Sequence, residues 1–173
     1  MTQEARIRNI AIYPIKSCAG IEVDRARLTR SGLVVRRYSD HEFMVVSKNP
    51  GFVEANDEKQ GGVYNFVTQR DRRSKKDRGQ SLSVMALIKP KMGSGTLQLT
   101  WDHKDQINVI AEYENGTLPV NVWGDVSEAV DMGDTYADWL SDHLGMDVRL
   151  ARAAGPFSRQ ARQDYLQSSN KIR

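Results

Sequence analysis

Short runs of β-strand character recur along this chain, each closed off by glycine, asparagine, aspartate or lysine. Ile7 to Ile15 alternates and ends around Tyr13-Pro14, where the proline biases the tyrosine towards extended backbone. Glu22 to Leu28 alternates, with Val23, Ala26 and Leu28 as its apolar members. Phe43-Met44-Val45-Val46 and Tyr64 to Val67 read as buried strands. Leu82 to Ile88, Thr96 to Trp101, Gln106 to Ala111, Val120 to Trp123, Val126 to Met132 and Asp147 to Ala151 complete the set. Runs this closely spaced leave no room for βαβ units. They predict a mainly β (α+β) fold, a curved sheet or β-barrel, with one C-terminal helix near 135–144. That helix has Asp134 as expected N-cap and Gly145 as expected terminator, with Tyr136, Leu140 and Leu144 on one face.

A chain of 173 residues can bury about 70% of its unfolded surface, so this one needs no covalent staples. Its single cysteine, Cys18, excludes an internal disulfide and a multi-cysteine zinc site, and His41, His103 and His143 have no ligand spacing. No stretch approaches the roughly 20 apolar residues of a membrane span. Met1 to Arg8 lacks the apolar run of a signal peptide, so a cytoplasmic location without a membrane partner is expected. Residues 1–152 read as one domain; in 153–173 serine, glutamine and arginine replace apolar periodicity, as in a linker or frayed tail. Ser47 to Gly62 and Asp71 to Ser81 predict mobile polar loops, the second of them strongly basic.

Tyr13-Pro14-Ile15-Lys16-Ser17-Cys18-Ala19-Gly20 is the most distinctive segment. A lysine and a serine on a turn after a strand suit an oxyanion, with charge from the ammonium and directed hydrogen bonds from nearby N–H and O–H groups. The plainer reading is a strand-to-strand turn with an incidental lysine. Cys18 beside Lys16 would have a lowered pKa, yet lone cysteines are usually small packing residues, and no Cys-His pair marks catalysis. Arg70, closing Phe66-Val67-Thr68-Gln69-Arg70, is placed either to clamp a phosphate or as one more surface arginine. Arg36 and Arg37 pose the same question. The basic loop admits nucleic acid, but aromatic residues do not interleave with its charges and the net charge is only +3, so nucleic acid is not the expected partner. Asp138 and Asp142 lie one turn apart on the helix's outer face, where solvation explains them.

Taken in order, these segments resemble the N-terminal β-barrel domain of MOSC (molybdenum cofactor sulfurase C-terminal) proteins, a family that includes the amidoxime-reducing component. The resemblance runs from Tyr13-Pro14-Ile15-Lys16-Ser17-Cys18 through Ala26-Arg27-Leu28-Thr29, Gly32-Leu33, Phe43-Met44-Val45-Val46 and Phe66-Val67-Thr68-Gln69-Arg70. It continues through Val122-Trp123-Gly124-Asp125 and Asp131-Met132-Gly133-Asp134 to Tyr136-Ala137-Asp138-Trp139-Leu140. It implies that the molybdenum cofactor (molybdopterin) lies between this domain and a MOSC domain of the same parent protein, which would be the partner. It also implies that Lys16 and Ser17 help hold the pterin phosphate. The family's arginine in the next element is replaced here by His41, or has moved to Arg37. A histidine meets a phosphate well only when protonated. The metal-ligating cysteine belongs to the MOSC domain, which these residues do not include, and Cys18 does not take its role.

The resemblance therefore implies an accessory domain of an oxidoreductase or sulfur-carrier protein. Lys16, Ser17, Arg37, His41 and Arg70 would form its basic wall, with no catalytic activity in the chain alone. The alternative, from a different class, is a non-catalytic protein-interaction module that uses the basic loop 70–78.

Overall fold

The computed structural model describes residues 6–55, 58–69, 82–110, 115–123 and 125–155, with the backbone alone at 52–55 and 58–60. In chain order the strands are β1 (Ile10–Ile12), β2 (Ile21–Val23), β3 (Arg27–Thr29), β4 (Gly32–Val35), β5 (Tyr38–Ser39), β6 (Phe43–Ser47), β7 (Gly51–Ala55) and β8 (Glu58–Asn65). A 3₁₀ helix (Leu82–Leu87) precedes β9 (Lys89–Met92), β10 (Leu97–Trp101), β11 (Asp105–Val109), β12 (Thr117–Val122) and β13 (Asp125–Asp131). Helix α1 (Asp134–Leu144) and β14 (Val148–Ala153) follow. The mainly β architecture with one α-helix is the one the sequence predicts.

The strands form a six-stranded sheet in the order β6-β14-β13-β12-β8-β7, flanked by β1-β2, β3-β4-β5 and β9-β10-β11. Among the described residues all pairings between these strands are antiparallel except β8 with β12. Strand β6 explains the unbroken apolar run of its sequence. Successive side chains of a strand point to opposite faces; Phe43 and Val45 enter a core shared with Ile15, Tyr38, Met85, Leu99 and α1, while Met44 and Val46 enter a second one with Phe66, Val120 and Ala151. Both faces are buried, so alternation disappears. A fully buried Phe43 contributes roughly 1.5–3 kcal/mol by leaving water.

Several expectations need correction. The run expected as a strand from Leu82 to Ile88 holds the 3₁₀ helix Leu82–Leu87, and its buried residues Leu82, Met85 and Ile88 fall three apart while Leu87 is exposed. Glu22 to Leu28 breaks at Asp24–Ala26 into β2 and β3, which join different sheets, and Leu28 is exposed. Only Ile10–Ile12 of the first run is strand, with Ile15 making a separate parallel bridge to Phe43. The segment expected as a mobile loop from Ser47 to Gly62 carries β7 and the start of β8, paired with each other. Asp134 is the first helical residue rather than the N-cap; Gly133 takes the cap position at φ 95°, a conformation that favours glycine. Gly145 ends the helix in the left-handed region as expected, its N–H donating to the Ser141 carbonyl. The segment Asp71 to Ser81 and the tail from 156 onward lie outside the described residues. No helix among the described residues is long and apolar enough to cross a membrane.

Where β13 passes into α1, Asp131 is buried and receives Arg149 from β14 through Nη2 at 2.7 Å and Nε at 3.0 and 3.2 Å. The same carboxylate accepts the Gly133 N–H at 3.0 Å, and Arg149 Nη2 also reaches Asp134 at 2.9 Å. Burial alone would lower the guanidinium's pKa, but the two carboxylates outweigh it and hold the charge. Removing one partner of a buried pair strands the other, so Asp131→Ala should cost about 3 kcal/mol. Asp134, largely exposed, should cost under about 1 kcal/mol when changed to alanine. Urea midpoints of the two variants check this ordering; equal losses would contradict it.

Candidate functional site

The turn after β1 is held against the lead-in to β6 by three backbone hydrogen bonds. His41 N donates to Tyr13 O at 2.8 Å, Phe43 N to Pro14 O at 2.8 Å, and Lys16 N to Phe43 O at 2.9 Å. Asp40 adds a fourth tie by accepting the Tyr13 N–H at 2.7 Å. Two residues far apart in sequence, Lys16 and His41, thus sit on neighbouring backbones. Gly20 lets the Tyr13 ring lie across this turn, since a Cβ there would stand 2.8 Å from Tyr13 Cε1.

On the other side, Val67 N donates to Val45 O at 2.9 Å, and Phe66 bridges Val46. Gln69 then reaches across to give its Nε2–H to the Ser17 carbonyl at 2.6 Å. The Lys16 ammonium stands 5.9 Å from the centre of the Phe66 ring, and Trp123, in the turn between β12 and β13, meets that ring edge-on at 6.0 Å. Ser17, His41 and Trp123 all have positive φ, at 67°, 58° and 61°. Left-handed backbone in residues with a Cβ is uncommon and gathers at functional sites. Here one such residue follows Lys16, a second feels its charge, and the third meets the phenyl ring it stands over.

Burial and the Lys16 charge pull His41 one way and the Asp40 charge the other. Its half-exposed imidazole lies below the usual value near 6.5, first because burial disfavours the charged ring; the Lys16 ammonium deepens that drop, and Asp40, 3.5 Å away, opposes it. Cys18 is almost fully buried, and burial pushes its thiol up to about 12. This reverses the expectation that Lys16 would lower it: the thiol turns into the core while the ammonium stays outside. Among the described residues no three histidine, cysteine, aspartate or glutamate side chains gather as a metal site.

The sequence-predicted residues divide accordingly. Lys16, Ser17 and His41 come together. Arg37 lies exposed on the turn joining β4 to β5, its guanidinium 5.8 Å from the Tyr38 ring centre, and is not among the charges acting on His41. Arg70 lies outside the described residues. Sequence reading missed the aromatic pair Phe66 and Trp123, whose only signal was membership in two ordered motifs. It also missed an open groove of about 560 Å³ lined by Arg25, Arg27 and Arg36. What the assembled site can do is hold an anion: an ammonium, a hydroxyl residue and a protonatable imidazole share one rim.

The family model described as the MOSC N-terminal beta barrel domain matches residues 4–147. Molybdenum cofactor sulfurase 1 of Aedes aegypti is 29% identical over 146 residues, which are 80% of this chain and 15% of that protein. Molybdenum cofactor sulfurase of Drosophila melanogaster is 27% identical over 175 residues, 96% of this chain and 19% of that protein. The protein of the same name from Danio rerio is 28% identical over 160 residues, 88% of this chain and 16% of that protein. The chain spans less than a fifth of the length of these relatives.

Two measurements check the electrostatics. In an NMR pH titration His41 should titrate below about 6.5. Lys16→Ala should move that midpoint up and Asp40→Asn should move it down; the opposite signs would contradict the arrangement. Cys18 should resist thiol reagents at pH 8 in the folded chain and react on unfolding, whereas prompt labelling would place it at the surface.

Proposed function

We propose, on the premise that this chain belongs to the MOSC N-terminal β-barrel domain family, that it supplies one wall of a molybdopterin site and receives the pterin phosphate. Its partner is a MOSC domain that closes the site from the other side. The observation that carries this reading is the meeting of Lys16 and His41 beside the left-handed Ser17. The relatives' names, molybdenum cofactor sulfurases, point to the same cofactor.

The residues fit the phosphate end of such a group. Lys16 brings a fixed positive charge and Ser17 a hydroxyl, and His41 brings a ring that becomes a second cation when an anion arrives. The bound molybdenum centre would supply the redox or sulfur-transfer chemistry. This chain's part is to orient the phosphate and offset its charge. Cys18, neutral and packed in the core, takes no part in it.

Phosphate binding should take up a proton. In the free chain His41 is mostly neutral at pH 7.5, and a nearby dianion raises its pKa. Affinity for a phosphate-bearing pterin should therefore rise as the pH falls towards 6, below which the phosphate itself loses charge at a second pKa of about 6. Titration followed by amide NMR should shift Lys16, Ser17 and His41. Lys16→Ala should weaken binding by about tenfold or more, as expected for a lost hydrogen bond to a charged group. His41→Asn should flatten the pH profile. No shift at these three residues would count against the proposal. Salt-sensitive partner binding abolished by neutralising Arg72, Arg73, Lys75 and Lys76 would favour the interaction-module reading instead.

A further inference from the structure

The register pairs Val122 with Asp125, so β12 turns into β13 across two positions, of which Trp123 is the first. Two-residue hairpins call for positive φ at the first loop position, a demand met by asparagine, aspartate or glycine. Here a tryptophan stands there at φ 61°. A bulky side chain in that region is a conformational outlier. The fold gains little in return, for the side chain is 60% exposed. A strained and largely solvated indole is a poor packing residue and a well-placed contact surface.

Its neighbours indicate what it contacts. The indole meets the Phe66 ring at 6.0 Å and 79°, and the Lys16 ammonium lies over that same ring at 5.9 Å. Lys16, which Ser17 adjoins and whose charge acts on His41, thus shares a single phenylalanine with the exposed indole of Trp123. An aromatic face beside an anion-holding cluster matches a ligand that is itself a flat ring with a phosphate arm, since ring stacking and charge pairing are then satisfied together.

We propose that Trp123 is a stacking platform of this site, and that the anion received by Lys16 and His41 carries a flat heteroaromatic ring that lies against the exposed indole. The inference rests on the anion-site reading above and adds the residue that would select a ring-bearing phosphate over a bare one. Were Trp123 only a cover for Phe66, an aliphatic side chain at an unstrained position would serve as well.

The test uses the full chain with two probes, 6-hydroxymethylpterin phosphate and inorganic phosphate, together with thermal unfolding. Trp123→Asn, which suits left-handed backbone, should weaken pterin phosphate by about tenfold while leaving inorganic phosphate affinity unchanged and the Tm equal or higher. Trp123→Phe should keep most of the affinity, and Lys16→Ala should weaken both probes. If Lys16→Ala weakens both probes but Trp123→Asn weakens neither, the anion site stands and the platform falls. A Tm lowered by several degrees in Trp123→Asn with binding intact would make Trp123 a cover for Phe66 and overturn the proposal in the same way. If neither probe binds, or Lys16→Ala changes nothing, the anion site falls and takes the platform with it.

Discussion

Strand β6 is buried on both faces, and the backbone groups of such a strand must find partners within the protein. Its neighbours are therefore dictated: β14 pairs along one edge, the Pro14 to Lys16 turn bonds to Phe43, and Val67 bonds to Val45. The two segments that bring Lys16 and Phe66 to the rim are the same two that satisfy this strand. The candidate site is thus a by-product of closing the hydrogen bonds of the most apolar strand, and its precision derives from them. Loosening β6 would misplace Lys16, His41 and Phe66 together.

That dependence explains how the rim tolerates strained backbone. A left-handed residue with a Cβ costs about 1–3 kcal/mol and persists only where its surroundings over-determine it. His41 is pinned through its N–H to Tyr13, while Asp40 beside it holds the Tyr13 N–H. Ser17 is pinned through its carbonyl to Gln69, which arrives on the segment that also bridges β6. Two strands away from β6 the Asp131–Arg149 pair fixes the passage from β13 into α1. The helix can then lay Tyr136, Leu140 and Leu144 on the core that Phe43 and Val45 share.

How far the sequence could be read followed from how local each cause is. Helix α1 was legible because burial repeats at the helical period its own residues display, and strand β6 because a short unbroken apolar run marks a strand buried on both faces. The Leu82 to Ile88 segment was not, since a three-residue spacing of Leu82, Met85 and Ile88 in a short apolar run is masked by the apolar residues between them. Pairing β7 with β8 needs contacts that polar, glycine-bearing residues do not announce. The site divided along the same line. Lys16 and Ser17 stood out because a turn with a lysine and a hydroxyl is a local pattern. Their junction with His41 depends on hydrogen bonds between segments some 25 residues apart, which sequence pattern alone cannot register. Trp123 went unnoticed as chemistry because its interest lies in a backbone angle.

The pair Lys16 and Cys18 shows why proximity in sequence is a poor guide to electrostatics. On the chain they are two residues apart, close enough for the ammonium to stabilise a thiolate in water. In the fold the turn sends Ile15 and Cys18 into the core and leaves Lys16 half-exposed beside the Phe66 ring. Desolvation then governs the thiol and raises it, whereas the ammonium acts on the imidazole of His41 across the segment junction. One short turn thus serves two ends by alternating direction: its apolar members anchor it to β6, and that anchorage holds its polar members where an anion can reach them. The charge of Lys16 acts on a partner that only the tertiary structure supplies, which is why a lysine two residues from a cysteine here does not mark a reactive thiol.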